Sequence, residues 1–143
     1  MKNIVKSFLL IALVSTALTS CKKYVDGPKF SLASAKSRVS GDWKIESYMY
    51  DGADQTAAFI TFFGANFEWD IEKDGSYRWQ GGTISDAGTW TLGEDKDDIR
   101  FLSSATGSTE MSYRILRLKS KELWFKYTDS NGKIEEYHFI PVD

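Results

Sequence analysis

The stretch NFEWDIEKDGSYRWQG, residues 66–81, contains the pattern that decides the fold. Large apolar side chains alternate with polar ones on both sides of Asp74-Gly75, and they are Phe67, Trp69, Ile71, Tyr77 and Trp79. Alternation with a period of two is typical of a β-strand with one buried face. Asp-Gly accepts the positive φ angles of a tight type I′ turn. The stretch therefore predicts a β-hairpin whose aromatic face points into a core.

The same pattern, a short run of alternating apolar and polar residues followed by a turn, recurs on either side of this hairpin from residue 40 to the end of the chain. The candidate strands are Asp42–Tyr50, Asn66–Glu72, Ser76–Gly81, Gly88–Gly93, Ile99–Ser104, Met111–Leu118, Glu122–Thr128 and Lys133–Ile140. A second turn dipeptide, Asn131-Gly132, joins the last two of them as a hairpin. Residues 51–64 are compatible with a strand, a lid or a helical turn.

Eight antiparallel strands in sequence order predict an all-β, up-and-down barrel, because closure removes the exposed sheet edges. An open two-sheet sandwich is the alternative. Strand parity predicts an inward face, with the last strand left undecided between its two faces. The inward residues are Trp43, Ile45, Phe67, Trp69, Ile71, Tyr77, Trp79, Trp90, Leu92, Ile99, Phe101, Met111, Tyr113, Ile115, Leu123, Phe125 and Tyr127.

The first twenty residues differ from the rest of the chain in composition. Lys2 and Lys6 give a basic start, an apolar run follows from Phe8 to Leu18, and Thr19-Ser20 ends it. This three-part layout is typical of a secretory signal peptide. The run is shorter than the roughly 20 apolar residues of a transmembrane helix. We therefore expect residues 1–20 to be an export signal and to lie outside the fold.

Leu18-Thr19-Ser20-Cys21 resembles the lipobox of bacterial lipoproteins, an aliphatic residue and two small ones before a cysteine. The resemblance implies cleavage before Cys21, a diacylglycerol on its thiol and an acyl chain on its amine. Two or three acyl chains hold a protein on a membrane almost permanently. Lys22 follows, where an inner-membrane retention signal would have Asp, so lipoprotein sorting rules point to the outer membrane. The expected location is the cell envelope.

Residues 21–37 are expected to form a lipidated tether, with Gly27-Pro28 as a breaker. Ser31 to Arg38 is compatible with a short helix capped by Ser31 that closes one end of a barrel, and equally with a flexible linker. Residues 38–143 then form one domain. The chain has a formal net charge of −2 and offers no basic field for nucleic acid.

Residues 38–143 resemble the bacterial lipocalin-like domain of the calycin group. The resemblance begins at residues 39–45, where Gly41-Asp42-Trp43 is similar to the Gly-x-Trp opening of lipocalins, and continues through residues 67–77, 88–92, 113–118 and 122–125. It implies that Trp43 plugs the closed end of the barrel. No arginine follows the last strand to stack on Trp43, which leaves Arg114 and Arg117 as substitutes.

Catalytic chemistry is not indicated by this chain. His138 is the single histidine and Cys21 the single cysteine, so neither a catalytic triad nor a zinc site is predicted, and no metal or cofactor is expected. We expect a protein that is not an enzyme. The alternating pattern of the last strand explains the presence of His138 without a catalytic role.

Two functions fit the aromatic barrel. In the first, a small apolar or amphipathic ligand binds at the open end, because eight-stranded barrels are just wide enough to hold one or to be filled by side chains. The candidate ligand-lining residues are Trp69, Trp79, Trp90, Phe101, Tyr113 and Phe125. In the second, the barrel is solid and docks on an envelope protein through outward Tyr48, Tyr50 and Trp124.

Overall fold

A computed structural model describes Tyr24 and residues 33–143. The expected signal peptide, the acylation site Cys21 and the expected helix cap Ser31 lie outside the described residues.

The described residues form a closed antiparallel barrel with two short helices. The elements are α1 (Ala35–Val39), β1 (Gly41–Tyr50), β2 (Ala53–Asp54), α2 (Thr56–Phe63), β3 (Glu68–Ile71), β4 (Ser76–Gly81), β5 (Ile84–Leu92), β6 (Asp98–Ser103), β7 (Met111–Lys119), β8 (Glu122–Thr128) and β9 (Ile134–Pro141). Strand β1 pairs with β3, each of β3 to β8 pairs with the next strand along the chain, and β9 pairs with β1. The two-residue β2 pairs only with β1.

The predicted eight-stranded up-and-down barrel is confirmed, since β1 and β3 to β9 close on themselves. The largest difference lies in β5, which begins at Ile84 rather than at Gly88. Residues 85–87 are Ser-Asp-Ala and have no apolar alternation that would indicate a strand. They nevertheless pair with Arg78, Trp79 and Gln80 of β4.

Both predicted hairpins form, but type I′ turns were the wrong expectation. Type I′ requires positive φ at both central residues, whereas only Gly75 and Gly132 have it, at 102° and 77°. The amides of Gly75 and Gly132 donate to the carbonyls of Glu72 and Asp129, at 3.2 and 3.0 Å. This is the pattern of a three-residue loop in which glycine forms a bulge.

Two β-bulges change which residues face the core. The register shifts between Ile45 and Ser47 in β1 and between Ile115 and Arg117 in β7. Each bulge reverses the alternation beyond it. As a result Leu118 is fully buried, and Tyr48 packs inside against Tyr137 with ring centroids 5.0 Å apart. The expectation of an outward Tyr48 was therefore wrong.

Helix α1 closes the end of the barrel at which β1 begins. Its cap is Ser34, whose hydroxyl accepts a hydrogen bond from the Ser37 amide, and not the expected Ser31. Val39, the last residue of the helix, is fully buried. The indole of Trp43 is 2% exposed and donates to the Val39 carbonyl at 2.8 Å. Trp43 thus lies where the lipocalin resemblance implied, at the closed end.

Tyr24 and an arginine complete this end. The Tyr24 side chain is 3% exposed, and its hydroxyl donates to the Lys96 carbonyl at 3.0 Å. Arg38 donates to the Leu118 carbonyl at 2.6 Å, and its guanidinium lies 5.8 Å from the Tyr24 ring centroid. The expected substitutes, Arg114 and Arg117, do not occupy this place. Arg117 instead lies on the outer face, over the Trp124 ring.

Helix α2 lies at the opposite, open end, because it follows the end of β1. Asp54 accepts hydrogen bonds from the amide and hydroxyl of Thr56, which starts the helix. Phe59 is its buried residue and packs against Tyr48 and Phe67, with ring centroids 5.4 and 5.2 Å away. Residues 51–64 were compatible with a strand, a lid or a helical turn, and in the structure most of them form helix α2, which lies over the mouth of the barrel.

Candidate functional site

The two halves of the barrel interior differ in how they are filled. In the half next to α1, large apolar side chains are fully or almost fully buried, namely Val39, Ile71, Ile99, Leu118 and Leu123. Above them lies a layer of contacting rings, among them Phe125 with Phe139 at 5.4 Å and Trp69 with Phe101 at 4.7 Å. The open half contains cavities, so the interior is solid at one end and hollow at the other.

The main cavity has a volume of about 370 Å³. Its lining residues come from five strands and from the loop between β6 and β7, and they are Trp69, Tyr77, Trp79, Asp86, Phe101, Ser103, Ser108, Thr109, Met111 and Tyr113. Ligand pockets in proteins span about 300–1,000 Å³ and are mostly apolar with a few polar groups. The main cavity falls within this range at its lower end, and its lining has this composition.

Strand register explains why these residues meet. Trp69 pairs with Trp79, Trp79 pairs with Asp86, and Phe101 pairs with Met111. Directly paired residues point to the same face of a sheet. One inward ring on β3 therefore fixes the inward direction of its partners around the barrel wall.

Asp86 is the charged residue in the lining of the main cavity. The Tyr77 hydroxyl donates to its Oδ2 at 2.7 Å, and the Ser103 hydroxyl donates to its Oδ1 at 2.6 Å. Burial and the hydrogen bond to Asp86 raise the pKa of Tyr77 above its ordinary value. The phenol therefore stays protonated and acts as a donor, and the carboxylate is held in one orientation.

A second cavity of about 130 Å³ lies beneath α2. Phe59, Phe63 and Phe67 line it, and it shares Trp69, Trp79 and Tyr113 with the main cavity. The shared rings separate the two spaces. Burial raises the pKa of Tyr113 and of Tyr137, a further residue of this lining, so both phenols are neutral at ordinary pH.

The predicted ligand-lining residues divide into two groups. Trp69, Trp79, Phe101 and Tyr113 line the main cavity. Trp90 and Phe125 belong to the packed interior: Trp90 is 4% exposed and donates to the Glu72 carbonyl at 2.8 Å, and Phe125 is fully buried. The structure brings the first four together and places the other two away from the cavity wall.

Several lining residues were missed from the sequence, above all Asp86 and Ser103. Alternate residues of a strand point to the same face. Counting back by twos from inward Trp90 gives Gly88 and then Asp86, and counting forward by two from inward Phe101 gives Ser103. The signal was present but weak, because neither residue is apolar. Ser108 and Thr109 lie in the loop after β6, where no strand alternation exists to assign a direction.

The outer wall carries a second aromatic arrangement, around Trp124. The Arg117 guanidinium lies 3.6 Å from its ring centroid, and the His138 ring stacks on it at 4.0 Å. These two residues stand on the strands flanking Trp124, so they cover opposite faces of the indole. The Ser47 hydroxyl and His138 Nδ1 are 2.9 Å apart. The proposed docking surface therefore keeps exposed Tyr50, but not Tyr48 or an open Trp124 face.

Metal-binding and membrane-spanning features were sought among Tyr24 and residues 33–143. No group of three or more His, Cys, Asp or Glu side chains there is arranged to hold a metal ion. Within the same residues, no helix has both the length and the apolar character needed to cross a bilayer.

Comparison with known proteins gives no family assignment. No protein-family model matches the chain, and no curated protein matches it. The structure itself defines the class, a closed eight-stranded up-and-down barrel with a hollow open half.

Proposed function

We propose that this chain is a lipid-anchored protein of the cell envelope whose barrel binds a small apolar or amphipathic ligand in the main cavity. The observation that carries the binding role is the main cavity itself, about 370 Å³ walled by Trp69, Trp79, Phe101 and Tyr113. The interior of an eight-stranded barrel is narrow enough for large aromatic side chains to fill it. Here the closed half is filled, chiefly by aliphatic side chains, whereas the rings of the open half leave room.

The anchor is supported by the sequence of the first 22 residues. An apolar export segment precedes Leu18-Thr19-Ser20-Cys21, which resembles a lipobox, and Lys22 favours the outer membrane. The proposal assigns no catalysis to the protein. Binding and membrane attachment are its two roles.

The position of Tyr24 relates these two roles to each other. Tyr24 is fixed at the closed end by its hydrogen bond to Lys96. Cys21 precedes it by three residues, and three residues span at most about 11 Å in any conformation. An acylated Cys21 would therefore hold the closed end next to the bilayer, and the main cavity would open toward the aqueous side.

Ligand binding is tested with a soluble chain of residues 22–143, which contains every residue that the structure describes. We expect the neutral fluorescent probe N-phenyl-1-naphthylamine to quench tryptophan emission saturably, with one probe bound per chain. Trp79→Phe should reduce the quenching, because Trp79 lines the main cavity. Trp124→Phe removes an indole from the outer wall and should not. Absence of saturable quenching, or equal effects of the two substitutions, would refute binding in this cavity.

Anchoring is tested in cells with the full chain. The wild-type protein should fractionate with membranes and carry the mass of its acyl chains, whereas Cys21→Ser should accumulate as an unprocessed precursor without that mass. Ser20→Ala keeps a small residue before the cysteine and serves as the control that should still be processed. Normal processing of Cys21→Ser would exclude the lipoprotein route.

A further inference from the structure

We propose that the main cavity selects ligands that carry a cationic amine, with Asp86 pairing the ammonium group and the surrounding rings packing on it. This inference rests on the proposed function and adds the chemical class of the ligand. Its basis is the combination of one oriented carboxylate and several aromatic faces in a single cavity.

The carboxylate of Asp86, which lines the cavity, retains acceptor capacity. Each carboxylate oxygen has two acceptor sites, and each oxygen of Asp86 receives one hydrogen bond, from Tyr77 or from Ser103. The two hydroxyl groups fix the carboxylate in place. One acceptor site on each oxygen is left for a donor such as an ammonium N–H.

Among Tyr24 and residues 33–143, no basic side chain forms an ion pair with Asp86. Both of its hydrogen-bond partners are neutral hydroxyls. Asp70 on the neighbouring outer face, by contrast, pairs with Arg78 at 3.2 Å. A partly desolvated carboxylate attracts a cation more strongly than one in bulk water does.

The ring content of the lining favours the same class of ligand. Five of the ten lining residues are aromatic, namely Trp69, Tyr77, Trp79, Phe101 and Tyr113. Faces of aromatic rings attract cations, and amine ligands are held in protein cages built from such rings. An anionic ligand would meet both the carboxylate and the electron-rich ring faces. A neutral ligand would gain from the rings alone.

The test compares three ligands that share a phenyl frame and differ in charge: 2-phenylethylammonium, 2-phenylethanol and phenylacetate. Binding to residues 22–143 is followed by NMR, from the indole N–H signals of Trp69 and Trp79. We expect the cation to bind about tenfold more tightly than the alcohol, and the anion most weakly. Added salt should reduce the advantage of the cation and leave the alcohol unchanged.

Asp86→Asn should lower the affinity for the cation about tenfold and change that for the alcohol less than about twofold. Asp70→Asn is the matched control, since it removes one negative charge from the outer face and should leave all three affinities unchanged. Near-UV circular dichroism checks that each variant is folded. If Asp86→Asn does not fold, the order of the three ligand affinities measured on the wild-type protein still tests the proposal.

The proposal is overturned if the cation binds no more tightly than the alcohol, or if Asp86→Asn keeps the cation's advantage. In either case Asp86 only pins the hydroxyls of Tyr77 and Ser103. Failure of all three ligands to bind also overturns it. The ligand-binding role itself survives each of these outcomes if N-phenyl-1-naphthylamine still quenches Trp79, and fails if it does not.

Discussion

Replacement of Phe125 by alanine is expected to lower the free energy of unfolding by about 3–5 kcal/mol. The Phe125 side chain is fully buried in the ring layer between the solid and hollow halves. The ring centroids of Tyr113, Phe139 and Trp69 lie 5.0, 5.4 and 5.7 Å from its own. Alanine would remove the phenyl ring and leave a void that these neighbours cannot fill, because each is held by further ring contacts.

The magnitude follows from two contributions. Burial of a phenylalanine side chain is worth about 1.5–3 kcal/mol, and the void adds a cost that grows with its volume. For a domain of about 100 residues, each kcal/mol lowers the melting temperature by roughly 4–8 °C. We therefore expect melting roughly 12–40 °C below that of the wild-type protein.

The assay is urea unfolding of residues 22–143, followed by circular dichroism, with the slope against urea compared between proteins. Phe62→Ala is the matched control, because Phe62 is 72% exposed on α2 and its loss should cost less than about 0.5 kcal/mol. A loss below about 1 kcal/mol for Phe125→Ala, or equal losses for the two variants, would refute the packed ring layer.

Three further predictions concern a close strand contact and two pH dependences. Gly88→Ala should cost about 1–3 kcal/mol in urea unfolding, because its Cβ would lie 2.0 Å from the Leu102 carbonyl oxygen; wild-type stability would disprove this contact. Hydrogen bonds from lysine and arginine side chains lower the pKa of Glu122 below its ordinary 4.5. The contribution of ionised Glu122 to folding stability is therefore complete above about pH 4.5 and is lost as pH falls through the lowered pKa. Glu122→Gln should remove this acid-dependent loss, and an identical acid profile for both proteins would argue against the ion pairs of Glu122. Burial raises the pKa of Tyr48 from 10.0 to about 12, so stability should fall as pH rises from about 10 to about 12. Tyr48→Phe should make this fall shallower, and an unaltered alkaline profile would contradict it.

The strands were predictable because the information that specifies them is local. The alternation around Trp69 and Trp79 and the glycine of Asp74-Gly75 define a hairpin within sixteen residues. Repetition of that pattern predicted the barrel. The two bulges were not predicted, because strict alternation was carried past Ile45 and Ile115, which places Ser47 and Arg117 inward; the packing of neighbouring strands decides where a register shift occurs. Tyr48 and Leu118 were misplaced or missed for this reason.

The sequence predicted which aromatic rings line the candidate site, but it did not predict whether these rings leave a cavity. Parity found the rings of Trp69, Trp79, Phe101 and Tyr113. Whether rings leave a space depends on the size of the side chains beside them, and here the smaller polar residues Asp86 and Ser103 complete the lining. Their inward direction follows from parity with Trp90 and Phe101, but neither residue is apolar, so the sequence signal was weak.

The division of the interior into a solid and a hollow half has a consequence for how this barrel can evolve. Side chains that hold the strands together lie mostly next to α1, whereas those that would contact a ligand lie near α2 and the loop at residues 104–110. Loops at the mouth tolerate changes that a packed interior does not. Relatives of this chain could therefore acquire different ligands through substitutions at the rim, with the closed half conserved as a common support.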